Sequence, residues 1–491
     1  MSGAAVDYED IQGLVRFGYK HLTQASFLLL RITQREAAQA WLAAAPVLDA
    51  QERKPLPQTA LQVALTREGL EALGVPPEVL TGFSAEFLAG MASDAARSRR
   101  LGDIGQNAPS GWQWGAPTRM PHVLVMLYAV PGELPAFEQS IRAGCEAGFE
   151  LVDRLATSDM DGTEPFGFID GISQPEPDWE RQRPVEDATR FDYTNVACLG
   201  EFLLGYPNEY GAYTDRPLLD RAADAVGILP RAEDASDCAD LGRNGSYLVM
   251  RQLRQEVEVF WQYLDHQAHG DAALRQQWAE AMVGRRLDGR SLVAEGPVAP
   301  DKLNDFDYRG DPRGLRCPLG AHVRRANPRN ADLPGDEPGP FTQLLRTLGF
   351  DPVLLAQDRV ASTRFHRLLR RGREYGVART IAQAVAGTPA PDAETGLHFI
   401  CLGANIARQF EFVQNAWIAG THFDGLRSEG DPLLGHRQPG PDGSATDCFS
   451  LPDASGPDQR LCGLPAFVRV IGGAYFFLPG IRALRFLATV R

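Results

Sequence analysis

Three segments hold side chains whose types and spacing suit chemistry. In EPFGFIDGISQPE (164–176), Asp170 stands beside Gly171, with Phe166, Gly167 and Phe168 before it and prolines at both ends. Glycines there let the backbone approach a ligand closely. Aromatic neighbours desolvate a carboxylate and raise its pKa, as a general acid or base requires. A plain Asp-Gly turn accounts for the same residues. In CPLGAHVRRANPR (317–329), His322 follows the small Gly320 and Ala321 and precedes Arg324, Arg325 and Arg329. Imidazole ligates iron, small neighbours admit a planar macrocycle, and guanidinium groups suit its carboxylates. A solvated basic patch has the same composition. In RFHRLLRRGREYG (364–376), Arg370 and Arg371 precede a glycine turn. A cation there could stabilise charge on a polarising O–O bond, or simply complete the dipole of a helix end.

These segments need a scaffold, and the apolar patterning supplies two copies of one. ASFLLLRITQREAAQAWL (25–42) and GSYLVMRQLRQEVEVFWQYL (245–264) each open on a small residue and run into an apolar strand ending at Arg31 or Arg251. Each then turns into an amphipathic helix carrying Trp41 or Trp261. A second strand and helix follow in each half: HVLVMLYAV (122–130) with ELPAFEQSIRAG (133–144), and LHFICLGANI (397–406) with ARQFEFVQNAWIAG (407–420). TALQVALT (59–66), FELVDRLA (149–156) and FVRVIGGAYFFL (467–478) supply further strands. The order predicts an α+β fold made of a duplicated unit with helices on one sheet face. The boundary is expected within the turn-rich stretch 205–245, dividing the chain into 1–215 and 216–491.

Composition removes several classes of function. The 491 residues carry 49 basic against 63 acidic side chains, a net charge of −14, which excludes a binder that neutralises nucleic-acid phosphates. No window approaches the ~18 uncharged apolar residues of a membrane helix. The opening MSGAAVDYED lacks the basic and apolar regions of a secretory leader, so a cytoplasmic protein is expected. The seven cysteines are scattered and never spaced as CxxC, which predicts neither a disulfide framework nor a thiolate zinc site. His266 and His269 read as a solvated helix end rather than a metal site, and Trp112, Trp114, Trp261, Trp417 and Tyr375 as core or half-buried residues.

GFIDGISQP, CPLGAHVRRANPR and LLRRGREYG occur in the order found in dye-decolorising peroxidases, and the chain resembles that family. GFIDG matches the family's GxxDG signature residue for residue. DIQG (10–13), GLHFICL (396–402), RQFEFVQ (408–414), DPLLG (431–435) and GGAYFFLPG (472–480) extend the resemblance over nearly the whole chain. The chain departs from the family in Glu374, where relatives often have proline, and in Gly480, where they have serine. The spacing from His322 to Arg370 also exceeds that of compact members, and the extra segment at about 331–360 looks like an inserted loop and short helix.

The resemblance implies two ferredoxin-like domains, with haem b between the sheet and helices of the second. His322 would ligate the iron, with Asp431, or in reserve Glu411, bonded to its other nitrogen. Asp170 and Arg370, or Arg371 if the register is one position on, would stand on the opposite face and cleave hydrogen peroxide. Leu397 and Phe399 would line that face, and Arg325 and Arg329 would hold the propionates. Small aromatic electron donors would complete the turnover, in a monomer or homodimer. The rival reading is a haem-binding or haem-delivery protein on the same scaffold, which would not need the Asp170–Arg370 pair.

Overall fold

Runs such as FLLL, VLVM and YFFL are apolar at every position instead of every second one, the signature of strands covered on both faces. The computed structural model describes residues 5–182, 194–224, 227–329, 362–388, 394–440 and 443–490. In it these runs become the centre of a nine-stranded antiparallel sheet. Its strands are β1 (Gln24–Ile32), β2 (Thr59–Leu65), β3 (Val123–Ala129), β4 (Phe149–Ala156), β5 (Ser246–Gln255), β6 (Leu369–Arg370), β7 (Arg373–Tyr375), β8 (Gly396–Gly403) and β9 (Val468–Leu478). The helices that matter here are α1 (Arg35–Ala44), α2 (Leu134–Cys145), α3 (Val257–Gln267), α4 (Ala272–Val283), α5 (His322–Ala326) and α6, which spans Ala407–Glu411 and Val413–Ile418.

The strand order is β6–β8–β5–β9–β2–β3–β1–β4, with β7 also on β8. Each half shows the same order, second–third–first–fourth, as expected of a strand–helix–strand repeated twice. The halves meet edge to edge where β9 pairs with β2 at Phe477 and Leu65. Alternate residues of one strand enter different cores: Leu28 and Leu30 of β1 belong to one cluster, Phe27 and Leu29 to the other. Both faces of β1 are therefore covered. The helix expected at 407–420 forms, but it is wound wider than an α-helix, with Glu411 N donating to Ile406 O at 2.9 Å. Such turns are rare and recur at functional sites.

Two expectations change. The segment holding Arg370 and Arg371 is not a helix end; it forms two short strands on β8, so neighbouring side chains point to opposite faces. The cysteines are not all free either, because Cys448 and Cys462 form a disulfide. A hairpin, Phe449–Leu451 against Gln459–Leu461, brings them together, a pairing that their spacing of 14 does not reveal. Trp112, Trp114, Trp261, Trp417 and Tyr375 are buried as expected. The insertion expected at 331–360 lies outside the described residues. Among the described residues no helix is long and apolar enough to cross a membrane, and no cluster of three or more His, Cys, Asp or Glu could hold a metal ion.

Candidate active site

The second half of the sheet does not close against its helices. Between them lies a cavity walled by Leu397 and Phe399 of β8, Leu253 of β5 and Val468 and Val470 of β9 on one side. His322 and Val323 of α5, Val413, Trp417 and Ile418 of α6, and Leu433 and Leu434 line the other. The loop 164–175 and Arg370 reach in from the edge. Leu397 and Phe399 thus stand on one face of their strand at the cavity, where alternation places them.

His322 begins α5, and its side chain lines the cavity. Its Nδ1 lies 2.9 Å from Asp431 Oδ2, which leaves Nε2 for the cavity. Asp431 has no solvent exposure. Its Oδ1 accepts from Leu433 N at 2.9 Å and Leu434 N at 2.8 Å, an Asx turn that aims the other oxygen at the imidazole. Burial alone would raise the Asp431 carboxyl and lower the imidazole. Their mutual attraction outweighs it, so the carboxyl is held below its usual range and the imidazole above its own. Glu411, the reserve partner, is elsewhere: it meets Arg97 and accepts from the Tyr475 hydroxyl at 2.9 Å.

On the other side, Arg370 Nη1 donates to Asp170 Oδ1 at 3.0 Å and Nη2 to Ser173 O at 3.2 Å. Gln174 Oε1 accepts from Arg370 N at 3.0 Å, so the loop and β6 lock together. Burial pushes the Asp170 carboxyl up. The guanidinium and the Gly171 N–H overcome that, and the net direction is down. The rise expected from a desolvating surround is present, but the ion pair and the backbone amide together outweigh it. Arg371, one residue on, faces away and donates to Leu14 O and Val15 O, each at 2.7 Å. The structure brings Arg370, not Arg371, to Asp170.

Arg325 is a correction. It is fully buried, does not line the cavity, and spends its N–H groups on main-chain carbonyls: Gly320, Trp417, Gly420 and Glu429, at 2.7 to 3.2 Å. It ties α5 to the end of α6. Arg329 is also off the wall, with Nη2 on Asn304 Oδ1 at 2.7 Å and its guanidinium over the Phe306 ring. Gly320 serves packing as well, since a Cβ there would meet Phe449 Cε2 at 3.3 Å.

Other groups at the cavity escaped the sequence. Arg285 lines it and is pushed down to about 10 by burial and by the nearby Arg329, a crowding of cations that an anionic guest would relieve. Arg251, paired with Asp103, forms a buried polar patch on β5, and His366 stacks on Phe412 at 3.6 Å. Glu164 lies in the wall and is pushed up to about 7 by burial. Its only signal in the sequence was an acid beside Pro165 and two aromatics.

No family model matches the chain. It is 28% identical over 455 residues to a multifunctional dye peroxidase of Amycolatopsis sp., covering 87% of this chain and 82% of that protein. A dye-decolorizing peroxidase of Mycetinis scorodonius is 26% identical over 522 residues, 100% of this chain and 89% of the relative. Among solved structures, a fungal DyP-type peroxidase from Auricularia auricula-judae superposes with a TM-score of 0.74 at 24% identity, covering 99% of this chain and 100% of the other. That likeness shows a common fold.

Proposed function

We propose that the chain, which is similar to dye-decolorising peroxidases over nearly its whole length, is one of the longer members of that family and a haem peroxidase reducing hydrogen peroxide at the expense of dyes, phenols and other small aromatic donors. One observation carries the reading: a single cavity collects His322 backed by Asp431 from the helix side, and Asp170 bonded to Arg370 from the loop-and-strand side.

The residues fit a haem by their chemistry. His322 offers one imidazole nitrogen, the walls are apolar, and Arg285 with Arg329 behind it forms a cationic side where we place the propionates, in place of Arg325. Haem b bound through His322 Nε2 would supply an iron centre that takes electrons from donors one at a time and delivers them to peroxide. We assign residues 1–215 and 216–491 as the two ferredoxin-like units, the second holding the haem and the first contributing Asp170.

Asp431 holds the Nδ1 proton and so strengthens Nε2 as a donor. Asp170, kept ionised by Arg370, takes the first proton of hydrogen peroxide on its carboxylate and returns it to the departing oxygen, which leaves as water. Arg370 offsets the negative charge growing on that oxygen. Leu397 and Phe399 keep bulky donors away, so large dyes give up electrons nearer the surface.

The experiment is turnover of a phenol by haem-loaded protein. Oxidation should require peroxide and should be lost in Asp170→Ala while haem stays bound. A wild type that binds haem without turning over peroxide would make the protein a carrier.

A further inference from the structure

We infer that Glu164 is a positioning residue, whose carboxylate staples the loop carrying Asp170 into its working shape. The inference rests on the peroxidase reading for its consequence in turnover, though not for the staple itself.

The loop closes on itself. Gly167 N donates to Glu164 O at 2.7 Å and Glu164 N to Phe168 O at 2.8 Å, with Asp170 N donating to Gly162 O at 3.1 Å. Gly167 has φ 97°, which lets the chain double back. Into this turn Glu164 folds its own side chain. Oε2 accepts from Phe166 N at 3.1 Å and Oε1 from Phe168 N at 3.0 Å. From β5, Gln255 Nε2 donates to Oε2 at 2.6 Å.

One carboxylate therefore caps two main-chain N–H groups at alternate positions and ties both to the sheet. From α3, Trp261 Nε1 donates to Phe166 O at 3.1 Å, and Phe166 packs on Phe260 with ring centroids 4.5 Å apart. Asp170 is the next residue but one after Phe168, so whatever fixes Phe168 fixes where Asp170 meets Arg370. Phe166 and Phe168 are both 3% exposed, and a buried N–H without its acceptor is costly.

The staple depends on charge. Three donors face the carboxylate, and protonation converts one acceptor site into an O–H. The groups that face Glu164 are those two amides, Gln255 from β5 and, as a like charge, Asp170 at the loop's end. Burial leads in pushing Glu164 up to about 7. An opened loop would return the carboxyl to its ordinary lower value, so the ionised staple gives way to a protonated one near neutrality and closure is favoured as pH falls from there toward ~4.3.

Hydrogen exchange of the Phe166 and Phe168 amides tests this, read on haem-free and haem-loaded protein from pH 5 to 8.5 and corrected for the intrinsic pH dependence of exchange. Glu164→Ala should exchange at both amides at least tenfold faster. Wild type should show an inflection in protection near neutrality, and Glu164→Gln, which cannot ionise, should lack it. In loaded protein, Glu164→Ala should cleave peroxide more slowly with haem affinity unchanged. Unchanged exchange in Glu164→Ala, or the same pH profile in wild type and Glu164→Gln, overturns the inference. A missing haem band sinks the peroxidase reading instead, since exchange in the haem-free chain still decides the staple.

Discussion

Asp431 and His322 are 109 residues apart in the chain and 2.9 Å apart in the fold, with the carboxylate wholly buried and its second oxygen consumed by two backbone amides. A carboxylate so fixed can neither rotate nor be solvated, and it orients the imidazole through Nδ1. Asp431→Asn should keep haem bound, raise the iron reduction potential, and slow the peroxide step by about 10- to 100-fold. Spectroelectrochemistry gives the potential and stopped-flow the rate. An unaltered potential would remove Asp431 from this role, and Glu411, held by Arg97 and Tyr475, could not inherit it.

Asp170 should work ionised, and Arg370 should set how far into acid it does so. Removing a positioned proton-transfer group costs about 10² to 10⁴ in rate, so Asp170→Ala should lose that much of peroxide cleavage. Arg370→Leu should lose about 10² to 10³ through the missing charge. Arg371→Leu should leave the step near wild type, because that side chain serves Leu14 and Val15.

The pH profile carries a sign. The Asp170 carboxyl is held below its ordinary value, so the stability and the ionised base it contributes are fully present above ~3.9 and are lost only as pH falls through the lower folded value. In Arg370→Leu the main lowering influence is gone and burial prevails, so the acid limb of the rate profile should move to higher pH. A limb that stays in place would mean that Arg370 does not hold Asp170 ionised.

Arg325 should matter to the fold and not to the haem carboxylates. Arg325→Met leaves the carbonyls of Gly320, Trp417, Gly420 and Glu429 short of donors. Unmet buried groups cost about 1–3 kcal/mol each, and a loss of order 3 kcal/mol is expected in denaturant unfolding of the haem-free chain. Unchanged stability with weakened haem binding would return Arg325 to the propionates.

Much of the scaffold was legible because apolar runs report directly on burial. β1 with α1 and β5 with α3 stand where FLLLRI and YLVMRQL predicted strands feeding helices. The site was legible as residue types but not as partnerships. Nothing local distinguishes Arg370 from Arg371; the first ends a short strand beside β8 and reaches Asp170, while the second, just past that strand, turns to Leu14 and Val15. Arg325 looked like an anion binder because an arginine near a candidate ligand histidine reads as free charge, whereas long-range packing assigned it four carbonyls. The Cys448–Cys462 bridge and the role of Glu164 arise from a hairpin and a folded-back loop, whose contacts leave no periodicity to read.

Whether His322 holds a haem iron in this cavity is decided by titrating haem into haem-free wild type and His322→Ala and recording the visible spectrum, with imidazole added back to the variant. A Soret band at one haem per chain is expected in wild type, its loss or severe weakening in His322→Ala, and its partial return with imidazole. Full occupancy and an unchanged spectrum in His322→Ala would contradict ligation by His322.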